Sequence, residues 1–387
     1  MINKKEYRFI ISGGGSGGHI YPALSIADGL KNKFTNSELL FVGSKNKMEM
    51  KIVPERGYRI KGLNISGFKR KFSFSNALLP FRLFISLIQS VVIILKFKPN
   101  LVIGTGGFAS GPILFVSSLL KLPTFIQEQN SYPGLTNKIL GKYSKKIFVA
   151  YDGMDKFFDS RKIIYSGNPV RESIKIFKSL KNDKIYKKLN LLRNKKTILV
   201  LGGSQGADAI NKSIVDSIDF FVKNDLQVIL QTGNRYYKTY KRFENKNLII
   251  IPFIDKIEEL YSVSDLIVSR SGASIISELC IVGKPVIFIP SPNVVDDHQT
   301  KNARKIYDKG ACEFINEDEL EFKLTPIINK LVVSDVYRTS ISKKIKSISK
   351  KDAVKTIINE IEYFVIWNKY NTKIIFLFEL EELECLP

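Results

Sequence analysis

Four apolar runs in this chain each end in a glycine loop and then pass into a helical pattern, and that repeated order constrains the architecture more than any other feature. The first is Phe9-Ile10-Ile11-Ser12 into Gly13-Gly14-Gly15-Ser16-Gly17-Gly18-His19, with Pro22 near the start of a helix reaching about Leu30. The second is Leu101-Val102-Ile103 into Gly104-Thr105-Gly106-Gly107-Phe108-Ala109-Ser110-Gly111-Pro112. The third is Ile198-Leu199-Val200-Leu201 into Gly202-Gly203-Ser204-Gln205-Gly206-Ala207, and the fourth is Leu266-Ile267-Val268-Ser269 into Arg270-Ser271-Gly272-Ala273-Ser274, followed by a helix with Ser277 and Glu278. Strand, loop and helix repeated in this way are the signature of parallel α/β architecture. The third loop opens the second half of the chain as the first opens the first half, so we expect two Rossmann-like parallel-sheet domains facing a central cleft. Ligands of such sheets bind beyond the carboxyl ends of the strands, where all four loops lie.

The length of 387 residues agrees with two domains, and 44% apolar with 25% charged residues excludes collagen-like, disulfide-scaffold and wholly disordered chains. Cys280, Cys312 and Cys385 are odd in number and form no C-x-x-C pair, which argues against a disulfide framework or a zinc site. The N-terminus runs straight into a strand without the features of a signal peptide, so a reducing, cytoplasmic setting is expected. The net charge is +23, and residues 1–170 carry 25 Lys and Arg against 9 Asp and Glu. A basic half of this kind faces nucleic acid, an anionic membrane or a phosphorylated substrate, or else reflects composition drift.

Between Arg82 and Lys96 lie 13 uncharged residues, fewer than a spanning helix needs, and Ser86, Gln89 and Ser90 interrupt them. Most of that stretch reads as a buried domain helix. Its beginning is different: Leu78, Leu79, Phe81 and Phe84 follow Lys69, Arg70 and Lys71, and apolar anchors beside cations suit attachment to an anionic lipid surface.

The first loop matches G-x-G-x-x-G at Gly13, Gly15 and Gly18, where backbone N–H groups can approach a phosphate or a sugar. A nicotinamide dehydrogenase would also need an acid after the second strand, Leu39 to Val42, and none occurs before Glu49. The third loop fits a nucleophile elbow at Ser204 with His298 downstream, but a serine hydrolase leaves the other loops without a task. A phosphate cradle with Ser204 as donor is more economical. His19 closes the first loop, as a general base for a substrate hydroxyl or as a structural cap. Two histidines with Asp296 and Asp297 do not make a metal site, and no cofactor is expected. Glu278, one turn beyond the fourth loop, suits a vicinal diol, or simply favours its helix; Arg171 suits a diphosphate, or is a surface cation.

Taken together with Gln127-Glu128-Gln129-Asn130, Gly134-Leu135-Thr136-Asn137, Gly167-Asn168-Pro169-Val170-Arg171 and Asp296 to Asn302, these motifs closely resemble the MurG family, the peptidoglycan N-acetylglucosaminyltransferases. They stand in the family's order over roughly residues 7 to 362. The resemblance implies a GT-B glycosyltransferase. It would move N-acetylglucosamine from UDP-N-acetylglucosamine to the 4-hydroxyl of lipid I, the undecaprenyl-diphosphate-linked N-acetylmuramoyl-pentapeptide, with inversion. By the same resemblance the donor meets Ser16, Gly17, Gly18, Asn130, Arg171, Ser204, Ile254, Ala273, Ser274, Ile275, Glu278 and Gln299, with Glu278 on the ribose and the uracil near Ile254. Gly104, Gly106, Gly107 and Ser110 form the acceptor diphosphate loop, His19 is the candidate base, and no metal is implied. The other partners implied are an anionic membrane surface, at the cytoplasmic face, and cell-wall synthesis proteins, with no nucleic acid.

Other UDP-sugar enzymes of this fold, a diacylglycerol glucosyltransferase or a UDP-N-acetylglucosamine 2-epimerase, are the nearest alternatives, and a non-catalytic basic membrane-binding protein is another. Ser16 and Phe108 stand where relatives often carry Thr and Tyr, which keeps the hydroxyl at one position and loses a phenol at the other. The expected domains are 1–168, 169–345 for the UDP-sugar, a C-terminal helix at 346–365 packing back on the first domain, and an atypical tail at 366–387 without an assigned role.

Overall fold

The expected strands form and hydrogen-bond into two wholly parallel sheets in a computed structural model that describes residues 7–65, 67, 78–177, 183–203 and 205–367. Lys69, Arg70, Lys71, Ser204, Cys385 and the tail from residue 368 lie outside the described residues. The first sheet has β1 (Arg8–Gly13), β2 (Glu38–Ser44), β3 (Arg59–Leu63), β4 (Leu101–Gly106), β5 (Thr124–Glu128), β6 (Lys146–Val149) and β7 (Ile163–Tyr165), in the order β3-β2-β1-β4-β5-β6-β7. The second has β8 (Lys196–Leu201), β9 (Leu226–Gln231), β10 (Leu248–Ile251), β11 (Leu266–Ser269), β12 (Val286–Phe288) and β13 (Glu313–Phe314), in the order β10-β9-β8-β11-β12-β13. Each order reverses once, between β1 and β4 and between β8 and β11. The four glycine loops leave those four strands, so each sheet carries two of them at its topological switch point, where ligands of such sheets bind.

The strands read as unbroken apolar runs because helices cover both faces. Phe9 and Ile11 enter one core and Ile10 the other, as the two-residue period of a strand requires, and all three are fully buried.

The chain divides into two units, the described parts of Met1–Gln129, Pro133–Pro169 and Asp352–Pro387, and those of Asn130–Tyr132 with Val170–Lys351. The crossing thus falls after Pro169. The return falls at Asp352 rather than at residue 346, because Lys346 still belongs to the helix Asp335–Ser347 of the second unit. A helix at 353–367 then places Val354, Ile357, Ile358, Ile361 and Val365 in the same core as Phe9, Ile11 and Ala27. Gly29 on the helix Gly17–Lys33 makes room for it, since a Cβ there would lie 2.6 Å from Val354 Cγ1. Lys33 and Glu362 add an ion pair at 2.8 Å.

The helix Leu79–Phe97 links β3 to β4 of the first sheet and is much less buried than its composition suggests. Only Ser86, Ser90 and Ile94 are buried. Ser86 donates to Leu83 O at 2.7 Å and Ser90 to Ser86 O at 2.7 Å, so both serines face inward with their hydroxyls satisfied along the helix itself. Phe81, Phe84, Ile88, Val92 and Leu95 form a bare stripe at helical spacing, with Phe81 63% and Phe84 60% exposed. The helix is long and apolar enough to cross a membrane by composition alone. Because it connects two strands of one sheet and packs Ile94 into that sheet's core, it lies on the unit as its outer layer.

Candidate active site

In the first unit the two glycine loops interlock through contacts that only glycine permits. Gly107 has φ +84°, and a Cβ on it would lie 2.2 Å from Gly14 O. Gly106 has φ +101°, and a Cβ on it would lie 2.8 Å from His19 Nδ1. Thr105 donates its hydroxyl to His19 O at 2.8 Å, which brings His19 onto the end of β4.

His19 Nδ1 lies 2.9 Å from Thr105 O and 2.8 Å from Gln129 Oε1. Gln129 is oriented by its own amide, which donates to Thr105 O at 2.8 Å and to Gln127 O at 3.0 Å, so its oxygen must be the atom facing the ring. Two acceptors at Nδ1 place the proton there. Nε2 keeps its lone pair and has no hydrogen-bond partner among the described residues. The network continues through buried amides: Gln127 donates to Asn168 Oδ1 at 2.9 Å, and Asn168 donates to Gln129 O at 3.0 Å. The Gln127-Glu128-Gln129-Asn130 and Gly167-Asn168-Pro169 motifs therefore meet behind His19. Glu128, quoted in the motif without a role, is also buried and accepts from Asn137 Nδ2 at 2.8 Å.

Ser16 occupies the N-cap of the helix Gly17–Lys33 with extended backbone, but its hydroxyl is exposed and does not cap the helix. With Gly17 and Gly18 it is open to a ligand. Gly104 and Ser110 are buried instead. Ser110 donates to Ser12 O and to Gly106 O, both at 2.9 Å, and so braces the two loops from behind rather than facing a substrate.

In the second unit Arg171 Nε donates to Glu278 Oε1 at 2.8 Å, which joins the residues assigned to diphosphate and ribose. Glu278 is buried, and burial raises its carboxyl above the usual range against the opposing pull of Arg171. The helix Ala273–Val282 follows Gly272 with no acidic residue in its first turn, leaving its N–H groups to an anion. The Ser274 hydroxyl in that turn is buried without a partner among the described residues. Ser271 donates to Gln299 O at 3.0 Å, and Gln299 Oε1 accepts from Ser291 N at 2.9 Å, which orients this side chain. Asp296 and Asp297 take positive φ of 53° and 49° to turn the chain into the helix His298–Tyr307. From that helix Asn302 accepts from Ser131 N at 2.8 Å and donates to Asn130 Oδ1 at 3.1 Å. Ile254 is half-buried in the loop after β10. In the third loop Gln231 donates to Gly203 O at 3.0 Å, and a Cβ on Gly206 would lie 1.9 Å from Thr232 O.

Among the described residues no group of three His, Cys, Asp or Glu is placed to hold a metal ion. Burial pushes the Cys280 thiol up to about 12 and raises Cys312 as well, which disfavours the thiolate at both.

Two doubly wound parallel sheets with paired glycine loops at each switch point give the chain the GT-B fold. The chain belongs to glycosyltransferase family 28: the family's N-terminal domain matches residues 9–149 and its C-terminal domain residues 197–357. It is 50% identical over 359 residues to the UDP-N-acetylglucosamine–N-acetylmuramyl-(pentapeptide) pyrophosphoryl-undecaprenol N-acetylglucosamine transferase of Flavobacterium psychrophilum, covering 92% of this chain and 97% of that one. The enzyme of the same name from Christiangramia forsetii is 43% identical over 362 residues, 94% of this chain and 99% of its own. Among solved structures, MurG of Acinetobacter baumannii superposes with a TM-score of 0.75 at 24% identity, over 92% of this chain and 99% of that one. A UDP-N-acetylglucosamine 2-epimerase from Neisseria meningitidis shares the fold with a TM-score of 0.64 at 15% identity, over 92% and 99%.

Proposed function

We propose that the protein transfers N-acetylglucosamine from UDP-N-acetylglucosamine to the 4-hydroxyl of lipid I, inverting the anomeric centre to give the β1,4-linked disaccharide of lipid II. The bond from sugar C1 to the diphosphate oxygen breaks, the bond from C1 to the acceptor oxygen forms, and the hydroxyl proton passes to His19 Nε2. Oxocarbenium character grows on the sugar while negative charge grows on the leaving diphosphate. The N–H groups at the start of the helix Ala273–Val282 and the Arg171 guanidinium face that charge as fixed donors, and Glu278 accepts from the ribose hydroxyls. The uracil lies near Ile254.

The observation that carries this reading is the imidazole of His19. A base is useful only if one ring nitrogen is free and the other is held, and Thr105 O and Gln129 Oε1 hold Nδ1. The acceptor is a diphosphate on a long lipid, which also gives the bare stripe from Phe81 to Leu95 a purpose. With the basic charge of residues 1–170 it seats the first unit peripherally on the anionic cytoplasmic face of the membrane. Lipid II feeds cell-wall growth, and so cell shape and division, alongside other cell-wall synthesis proteins.

The test is to incubate the protein with labelled UDP-N-acetylglucosamine and a lipid I analogue, without added metal. UDP and a labelled disaccharide lipid are expected. An epimerised sugar nucleotide, or no transfer to the lipid, would overturn the reading. A His19→Ala protein with wild-type kcat and an unchanged pH profile would move the base elsewhere.

A further inference from the structure

Glu49 is a carboxylate with no exposed surface at the first residue of the helix Glu49–Glu55. Fully buried acids are rare unless paired, and among the described residues Glu49 makes no ion pair. It has instead two backbone donors, one at the end of a strand and one in a loop. Oε1 accepts from Ser44 N at 2.9 Å, at the end of β2, and Oε2 accepts from Gly15 N at 3.0 Å, in the middle of the first glycine loop. Loop and strand are both hollowed out for it: a Cβ on Gly14 would lie 2.2 Å from Oε1, and a Cβ on Gly43 would lie 2.6 Å from Cγ.

In a phosphate-binding glycine loop the N–H groups wait for an anion brought by the ligand. Here the Gly15 N–H is already committed to an anion that the chain supplies. The loop is thereby tied at two points, at Gly15 by Glu49 and at His19 O by the Thr105 hydroxyl. Its course toward His19 is set before any substrate arrives, and the energy of substrate binding need not be spent on ordering it.

We propose that Glu49 is a positioning residue for sugar transfer, its carboxylate holding the first glycine loop, and with it His19, in the course that proton abstraction needs. This rests on the role given to His19 above.

The experiment compares wild type, Glu49→Gln, Glu49→Asp, His19→Ala and the double variant His19→Ala/Glu49→Gln in the transfer assay, with amide hydrogen exchange measured in parallel. Glutamine turns an NH2 donor toward one of two N–H donors. We expect kcat to fall at least tenfold and KM for UDP-N-acetylglucosamine to rise by less than kcat falls, because Ser16, Gly17 and Gly18 of the loop touch the donor while Arg171, Glu278 and the helix Ala273–Val282 hold most of it. Aspartate, which keeps the charge, recovers part of the loss. In the His19→Ala background the same change costs less than twofold, since groups acting as a unit are not additive. Exchange of the Gly15 and Ser44 amides accelerates at least tenfold in Glu49→Gln while the core amides of the unit stay protected. A wild-type kcat in Glu49→Gln, a rise in KM with kcat unchanged, or an equal loss in both backgrounds would overturn the proposal. Should Glu49→Gln not fold, Glu49→Asp decides: faster Gly15 exchange with lowered kcat supports it, and an unchanged kcat overturns it. If the wild-type protein itself transfers nothing to lipid I, the functional reading fails instead, and unchanged Gly15 exchange in the variants would separately remove the hold of Glu49 on the loop.

Discussion

Replacing Phe81 and Phe84 together by alanine strips the two most forward rings from the bare stripe of the helix Leu79–Phe97. Burying a phenylalanine completely is worth about 1.5–3 kcal/mol. These rings are 63% and 60% exposed, so covering what remains bare is worth about 1–2 kcal/mol each and about 2–4 kcal/mol together. At 1.4 kcal/mol per factor of ten, partitioning onto vesicles should fall by about 30- to 700-fold. The assay is flotation with vesicles containing anionic lipid, at constant low salt, with lipid titrated to give a partition coefficient for each protein. The fold should not suffer, since neither ring is buried, so Tm is the control. Raising the salt should weaken wild-type binding further by screening the basic charge of residues 1–170. A double variant that floats within threefold of wild type at unchanged Tm would refute the reasoning, because the stripe would then not be what meets the lipid.

Gln129→Leu removes one of the two acceptors at His19 Nδ1 and leaves Thr105 O alone to hold the proton there; a loss of about 0.5–1.5 kcal/mol predicts a kcat lower by roughly two- to tenfold, read in the transfer assay at saturating substrates. Glu278 has its carboxyl raised above 4.5 by burial, so UDP affinity, followed by calorimetry, should weaken as pH falls through that raised value, a weakening that Glu278→Gln abolishes. The same shift has a sign for folding: a raised carboxyl favours the folded state when protonated, so this contribution is full below the unfolded value and is lost as pH rises through the folded one. Gly29→Leu drives a side chain into Val354 and Ile358 of the helix at 353–367 and should cost about 1–3 kcal/mol, seen as a Tm lower by several degrees.

Much of the fold was legible because it rests on local pattern. The unbroken apolar runs at Phe9, Leu101, Ile198 and Leu266 could only be strands covered on both faces, and the glycine loops after them had to lie at the carboxyl edge. The exposure of the helix at 79–97 beyond Phe84 is not legible in the sequence for a physical reason: the helix is apolar almost all round, so periodicity cannot tell an inner face from an outer one. Its serines, which look like surface residues, turn inward because their hydroxyls bond along the helix. Gly104 and Ser110 read as ligand residues because they stand in a glycine loop, yet the strand carries one into the core and the other bonds behind the loop. Glu49 looked like an acid placed too late to hold a ribose, and no local signal connects it with Gly15.

The order of residues alone determined that this chain builds two parallel α/β units and where their loops would fall. Those are matters of neighbours along the chain, where apolar spacing reports burial and glycine reports backbone freedom. Tertiary structure decided which nitrogen of His19 is held and which is left free, since the acceptors that hold Nδ1 come from 86 and 110 residues away. It also decided that Glu49 braces the first loop, that the bare stripe runs on from Phe84 to Leu95, and that the returning helix begins at 353 rather than at 346. Hydrogen bonds and packing of this kind join residues that become neighbours only once the strands have taken their order, and no window of sequence contains both partners.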